Sequence, residues 1–178
     1  MPIKHWIPNA LTLCGIVISA IAIVNYEYFL LALVVIPINA FIDWFDGYYA
    51  RKINAVSTIG RCLDFFNDTL GFVILPMVIT LPFVDASQLL FFIALAILYV
   101  GAGFFRLIRE FIKPKKTTFT GLPTTSAAVI YLIVKLINIS VFGEHTINTF
   151  LLFTTMIVLM ILMVSHIKFC RIYQKKSC

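Results

Sequence analysis

Residues 43–68 read DWFDGYYARKINAVSTIGRCLDFFND. This stretch holds Asp43, Asp46, Asp64 and Asp68, four of the eight acidic residues in the chain, between two apolar flanks. A carboxylate inside a membrane helix costs about 2.5–3.5 kcal/mol on insertion scales, so four together are not an indifferent surface. Asp43 and Asp46 are spaced i,i+3 and Asp64 and Asp68 i,i+4, which puts each pair on one helical face. The helix carrying the first pair ends near Arg51, and the next begins near Cys62 on the same side. So short a connection makes the two helices antiparallel neighbours, and their acidic faces can meet at similar depth.

Outward from this stretch the chain is built of apolar runs. Of 178 residues, 61% are hydrophobic and 12% charged, and mean hydropathy is +1.01. A soluble domain carries about twice that share of charge. The composition argues against a soluble fold and excludes disorder, collagen-like repeats and a disulfide scaffold. Six runs approach the ~20 residues that a membrane-spanning helix needs; they cover residues 7–24, 29–50, 62–81, 88–111, 122–139 and 147–169. They are continuous and lack alternation of period two, which predicts helices rather than barrel strands. The start MPIKHW superficially resembles a signal peptide, but the cleavage-like Ala20-Ile21-Ala22 falls inside the apolar run. It therefore reads as an uncleaved first span. The expected architecture is an all-α integral membrane protein with six transmembrane helices, a single domain over residues 1–178.

Net charge is +6, and its distribution sets the orientation. Thirteen of the fourteen Lys and Arg fall at the N-terminus, in 51–61, in 106–116 and in the tail from Lys168 to Lys176. The alternate connections carry Glu27, Asp85 and Glu144 and no Lys or Arg. This positive-inside pattern predicts cytoplasmic termini, an even number of spans and insertion in the cell membrane. The excess charge is thus a membrane signal and implies no nucleic acid partner. Lys135, the remaining cation, is expected to snorkel to the outer interface. Cys14, Cys62, Cys170 and Cys178 form no CxxC pair, and His5, His145 and His166 lie far apart, so neither a zinc site nor a disulfide framework is expected.

Four ionised carboxylates carry a charge of −4 and repel. Two divalent cations would neutralise them, and oxygen donors suit Mg2+ or Mn2+. Paired metals are a usual clamp for displacement at phosphorus, because they stabilise charge on attacking and leaving oxygens. A helix-packing hydrogen bond accounts for one intramembrane aspartate and rivals this reading for one pair, but not for a facing set of four. Gly47, Ala50 and Gly60 put small residues on the acidic face, where a bulky ligand can approach the backbone; helix packing uses such residues equally well. Arg51 adds a cation suited to phosphate. A cation-binding transporter is the rival from another functional class. Transport favours broken helices near the bilayer midplane, whereas these aspartates cluster towards one surface beside basic loops.

The pattern Asp43, Asp46-Gly47, Ala50-Arg51, Gly60, Asp64 and Asp68 resembles the signature of the CDP-alcohol phosphatidyltransferases, all eight residues standing at its spacings. The resemblance implies a six-helix membrane fold, usually dimeric, with a cytoplasm-facing polar active-site cavity. It implies a CDP-linked lipid donor such as CDP-diacylglycerol, a hydroxyl acceptor and release of CMP. By that likeness Asp43, Asp46, Asp64 and Asp68 are the metal ligands, and Asp68 is similar to the general base towards the acceptor hydroxyl. Gly47, Ala50, Arg51 and Gly60, together with Asp43, correspond to the cytidine diphosphate site. The opening Pro8-Asn9-Ala10-Leu11-Thr12 resembles the family's first-helix motif, in which Asn9 and Thr12 touch the nucleotide; helix capping also uses such residues.

The second half resembles the bacterial phosphatidylserine synthase branch of that family, in F104–R109, in F119-T120-G121-L122-P123 and in the ending S165–F169. L-serine is the acceptor that this likeness implies. Arg106 and Arg109, one turn apart, are candidates to bind its carboxylate or a phosphate, since a bidentate guanidinium suits either. The chain departs from the branch at Phe65, Asn67, Gly71-Phe72-Val73 and Thr124-Thr125. Those departures leave the transfer chemistry intact and leave glycerol 3-phosphate, an inositol phosphate or an ether-lipid donor open as alternatives.

Overall fold

The computed structural model describes residues 6–52, 58–112, 118–142, 148–165 and 168–170. A helix occupies each apolar run. The first two are α1 (Trp6–Val24) and α2 (Phe29–Lys52). The third run starts as α3 (Thr58–Asp68), passes through a π-helical segment (Thr69–Ile74), continues as α4 (Leu75–Val78) and ends in a 3-10 turn (Leu81–Phe83). Then follow α5 (Leu89–Ile112), α6 (Thr124–Phe142) and α7 (Thr149–Val164). By length and composition four stretches can cross a membrane: Phe29–Tyr48, Thr58–Phe83, Leu89–Ile112 and Thr124–Phe142; Asn9–Val24 and Thr149–Val164 are shorter apolar helices.

Two short strands depart from the all-α expectation. The sequence predicts helix as far as Phe169, but α7 stops at Val164, where Ser165 turns to φ −55° and ψ 155°. Arg109 donates to the carbonyls of Met163 (3.3 Å) and Val164 (3.4 Å), groups that have no helical donor at a C-terminus. Beyond it β2 (Lys168–Cys170) pairs antiparallel with β1 (Thr118–Thr120), Phe119 opposite Phe169.

The chain forms two compact units, Met1–Ile79 and Thr80–Cys178. In the first, α1 packs on α2 and on α3. Its enclosed side chains include Thr12, Ser19, Asn39, Asp46 and Asn67, while Leu13, Val17, Ile21, Val34, Ile38 and Phe41 face outward. Polar inside and apolar outside is the arrangement suited to a hydrocarbon solvent, where helix faces meet lipid and polar groups must find partners internally. The π-helical segment begins directly after Asp68; the Leu75 N–H reaches back to the Leu70 carbonyl, and Pro76, lacking an N–H, follows. Such one-turn departures recur at functional sites.

In the second unit α7 packs against α5 and α6. Phe153 meets the rings of Phe91 and Phe92 at centroid distances of 5.3 and 6.2 Å. Asn138 ties the start of α7 to α6 through two 2.9 Å bonds, donating to the Asn148 carbonyl and accepting from the Asn148 N–H. Lys135 does not snorkel outward as expected. It is fully buried on the α6 face that also carries Tyr131 and Asn138, with Nζ 4.2 Å from the centroid of the Phe83 ring. A cation over an aromatic face recovers part of the hydration that burial removes.

Candidate active site

The aspartates are delivered by two helices and met by a third. Asp43 and Asp46 stand on α2, Asp64 and Asp68 on α3, and Thr12 on α1. Asp46 is buried; Asp43, Asp64 and Asp68 are half-buried. Thr12, itself buried, places Oγ1 2.6 Å from Asp46 Oδ2 and 3.3 Å from Asp64 Oδ1. One hydroxyl therefore joins a carboxylate of each acidic helix. Asp43 and Asp64 are near enough for their charges to act on Asp46.

The expected pairing of acidic faces is thus present at Asp46 and Asp64. Asp68 lies one turn beyond Asp64 and is the last residue before the π-helical segment. Among the described residues no three acidic, cysteine or histidine side chains surround a common point at ligating distance. The donor set nevertheless fits a hard divalent cation: it is all oxygen and negatively charged. The Thr12 hydroxyl has a single hydrogen, which the nearer Asp46 oxygen takes, so the longer Asp64 contact brings two oxygens together where positive charge would be welcome.

Asn9 is half-buried on α1, one turn before Thr12. Gly47 follows Asp46 and Gly60 opens α3, both half-buried. Ala50 and Arg51 lie in the last turn of α2, and their side chains fall outside the described residues. Sequence reasoning did not single out Ser19 or Asn39 and marked Asn67 only as a departure from the branch; all three are buried on the same three helices. The available signal was spacing, since Asn39 precedes Asp43 by four residues.

Arg106 and Arg109 belong to the second unit and have partners there. Arg106 is buried, donates to Thr124 Oγ1 (2.9 Å) and forms an ion pair with Glu110. Glu110 was also missed, although an acid four residues from an arginine on a helix is a familiar pairing. Arg109 is half-buried and caps α7 as described above. Gly121 fits against the same helix end: its φ is +82°, and a Cβ there would come 2.3 Å from the Met163 carbonyl oxygen. Only glycine suits both conditions.

Residues 5–170 match the family model described as CDP-alcohol phosphatidyltransferase. The chain is 33% identical over 175 positions to the CDP-diacylglycerol–serine O-phosphatidyltransferase of Bacillus subtilis (strain 168), covering 93% of this chain and 90% of that one. It is 32% identical over 179 positions to the enzyme of the same name from Helicobacter pylori (strain J99), covering 95% and 74%. A shorter match, 35% over 60 positions and 33% of this chain, is to the CDP-diacylglycerol–glycerol-3-phosphate 3-phosphatidyltransferase of Aquifex aeolicus (strain VF5).

Proposed function

Because the chain belongs to the CDP-alcohol phosphatidyltransferase family, we propose that it makes phosphatidylserine, transferring the phosphatidyl group of CDP-diacylglycerol to the hydroxyl of L-serine and releasing CMP. The structural observation that carries this reading is the Thr12 hydroxyl joining Asp46 of α2 to Asp64 of α3, which gathers signature residues of three helices at one place. We place the enzyme in the cell membrane as one catalytic domain with six spans, dimeric, with both termini and a polar active-site cavity on the cytoplasmic side. Thirteen cations confined to one set of connections support that orientation.

Asp43, Asp46, Asp64 and Asp68 would hold two divalent cations, Mg2+ or Mn2+. When bound, such cations supply positive charge to the diphosphate and to the departing CMP. Thr12 steadies the Asp46 carboxylate by donating to it. Asn9 and Thr12 contact the nucleotide, Gly47, Ala50 and Gly60 leave room for it beside the backbone, and Arg51 pairs with phosphate. The serine oxygen attacks the phosphorus that bears diacylglycerol as the bond from that phosphorus to CMP breaks. Asp68 orients the serine hydroxyl and takes its proton late, since a metal-bound carboxylate is a weak base. CMP leaves as an anion and needs no proton. Of the two arginines, Arg109 is the more exposed and the better candidate for the serine carboxylate; Arg106 serves beside it through its hold on Thr124 and Glu110.

The test is CMP release by the purified chain in detergent with CDP-diacylglycerol, Mn2+ or Mg2+, and a panel of hydroxyl acceptors. Serine is expected to give phosphatidylserine and CMP. Release with glycerol 3-phosphate but not serine reassigns the acceptor alone. No release with any acceptor overturns the enzyme.

A further inference from the structure

Beside the aspartates, the first unit holds polar side chains that the transfer chemistry does not use. Ser19 on α1, Asn39 on α2 and Asn67 on α3 are each 0% exposed. Asn39 Nδ2 donates to Ser19 Oγ. Asn39 Oδ1 and both polar atoms of Asn67 have no hydrogen-bond partner among the described residues. A buried amide left unpaired is costly, and apolar residues would pack there at less cost unless the amides act on one another.

The two carbonyl oxygens converge on Gly15 of α1. A Cβ at that glycine would lie 2.8 Å from Asn67 Oδ1 and 2.9 Å from Asn39 Oδ1. Gly71, in the π-helical segment, stands similarly against Asn39 Nδ2 (2.9 Å) and Ser19 Oγ (3.1 Å). The two glycines are seats on which three helix segments close over the amides. A half-turn about the terminal bond of Asn67 exchanges its oxygen and nitrogen in place, which would put an N–H beside Gly15, where the Asn39 oxygen also lies.

Position along the helices gives this layer its consequence. Asn39 precedes Asp43 by four residues and Asp46 by seven, on one face of α2, and Asn67 lies between Asp64 and Asp68 on α3. A link at this level sets the rotation of both helices about their axes, and so the direction in which their carboxylates point.

We propose that Asn39 and Asn67 pair through their amides and act as positioning residues for the aspartates. The proposal rests on the reading of those aspartates as metal ligands. Its structural half is tested separately, in a cysteine-free full chain carrying Thr12→Cys and Asp64→Cys, by oxidative disulfide formation. Asn67→Leu is expected to lower the yield of that cross-link, because α3 is no longer held in register against α1 and α2. In the chain with its aspartates intact, Asn67→Leu is expected to weaken Mn2+ binding, read by electron paramagnetic resonance, about tenfold. Asn39→Leu should do the same, and the double variant no worse than either single, since both break one link. A side chain that only fills space would leave the cross-link and the Mn2+ affinity unchanged, and that result overturns the proposal. Additive losses in the double variant overturn the pairing. If the unaltered chain neither binds Mn2+ nor releases CMP, the metal reading fails, while the cross-link still decides whether the amides hold the helices in register.

Discussion

Thr12 on α1 holds its hydroxyl 2.6 Å from a carboxylate oxygen of Asp46 on α2, although 34 residues separate them in sequence. The contact is buried, so its donor has no water to replace it. A hydrogen bond to a charged group contributes about 1.5–3 kcal/mol. If that energy serves to aim Asp46, Thr12→Val should lower turnover about ten- to hundredfold. Thr12→Ser keeps the hydroxyl and should retain most activity. CMP release by the two variants is the measurement, and equal rates would remove Thr12 from the site.

Asp68 ends α3 at the entry to the π-helical segment. Asp68→Asn keeps the shape of the side chain and removes its capacity to take a proton. It should abolish phosphatidylserine formation while the variant still runs as the native species in size-exclusion chromatography. Near-normal turnover would take the proton-accepting role away from this residue.

If Asp43, Asp46, Asp64 and Asp68 hold the two divalent cations proposed for them, transfer depends on metal. Chelation with EDTA should stop CMP release, and added Mg2+ or Mn2+ should restore it, whereas Na+ at equal ionic strength should not. Activity that survives exhaustive chelation would refute the assignment of Asp43, Asp46, Asp64 and Asp68 as ligands.

Much of this architecture was legible because lipid as a solvent imposes simple rules. Apolar runs mark the helices, and the spacing of Asp43, Asp46, Asp64 and Asp68 marks the acidic faces. Beyond the meeting of the two acidic faces, the contacts between elements were not legible. The likeness to the family read Thr12 as a nucleotide contact, and nothing in its neighbours points to Asp46. Lys135 was read from charge counting alone, yet Thr124, Ala128, Tyr131, Lys135 and Asn138 recur at helical spacing and share the buried face of α6. The π-helical segment shifts a hydrogen-bonding register by one residue, which composition does not record apart from Pro76. Arg109 could cap α7 only once α5 and α7 were packed together, a tertiary relation that local pattern does not contain.

Gly121 joins β1 to α6 with φ +82°, and a Cβ would meet the Met163 carbonyl oxygen at 2.3 Å. Gly121→Ala therefore suffers both a strained backbone and a clash with main chain that cannot swing aside. A non-glycine residue in a sparsely populated region alone costs about 1–3 kcal/mol. Thermal unfolding in detergent should show a midpoint lowered by several degrees, with the loosened Arg109 cap adding to the loss. An unchanged midpoint would mean that the end of α7 is not held at this glycine.

Arg106 and Arg109 should separate by what their loss affects. Arg106 is 5% exposed and paired with Glu110, which is 39% exposed. Arg106→Met leaves that carboxylate without its partner and Thr124 Oγ1 without its donor, so it should lower stability. The accompanying change Glu110→Gln should recover part of the loss, because no charge is then left behind. Arg109, if it receives the serine carboxylate, should behave differently. Arg109→Gln should raise the KM for serine about tenfold, the order expected for losing a charge-assisted bond, with the KM for CDP-diacylglycerol little changed. Steady-state kinetics with each substrate varied in turn decides the matter: a rise in both constants, or in neither, would leave the Arg109 guanidinium with the end of α7 as its whole task.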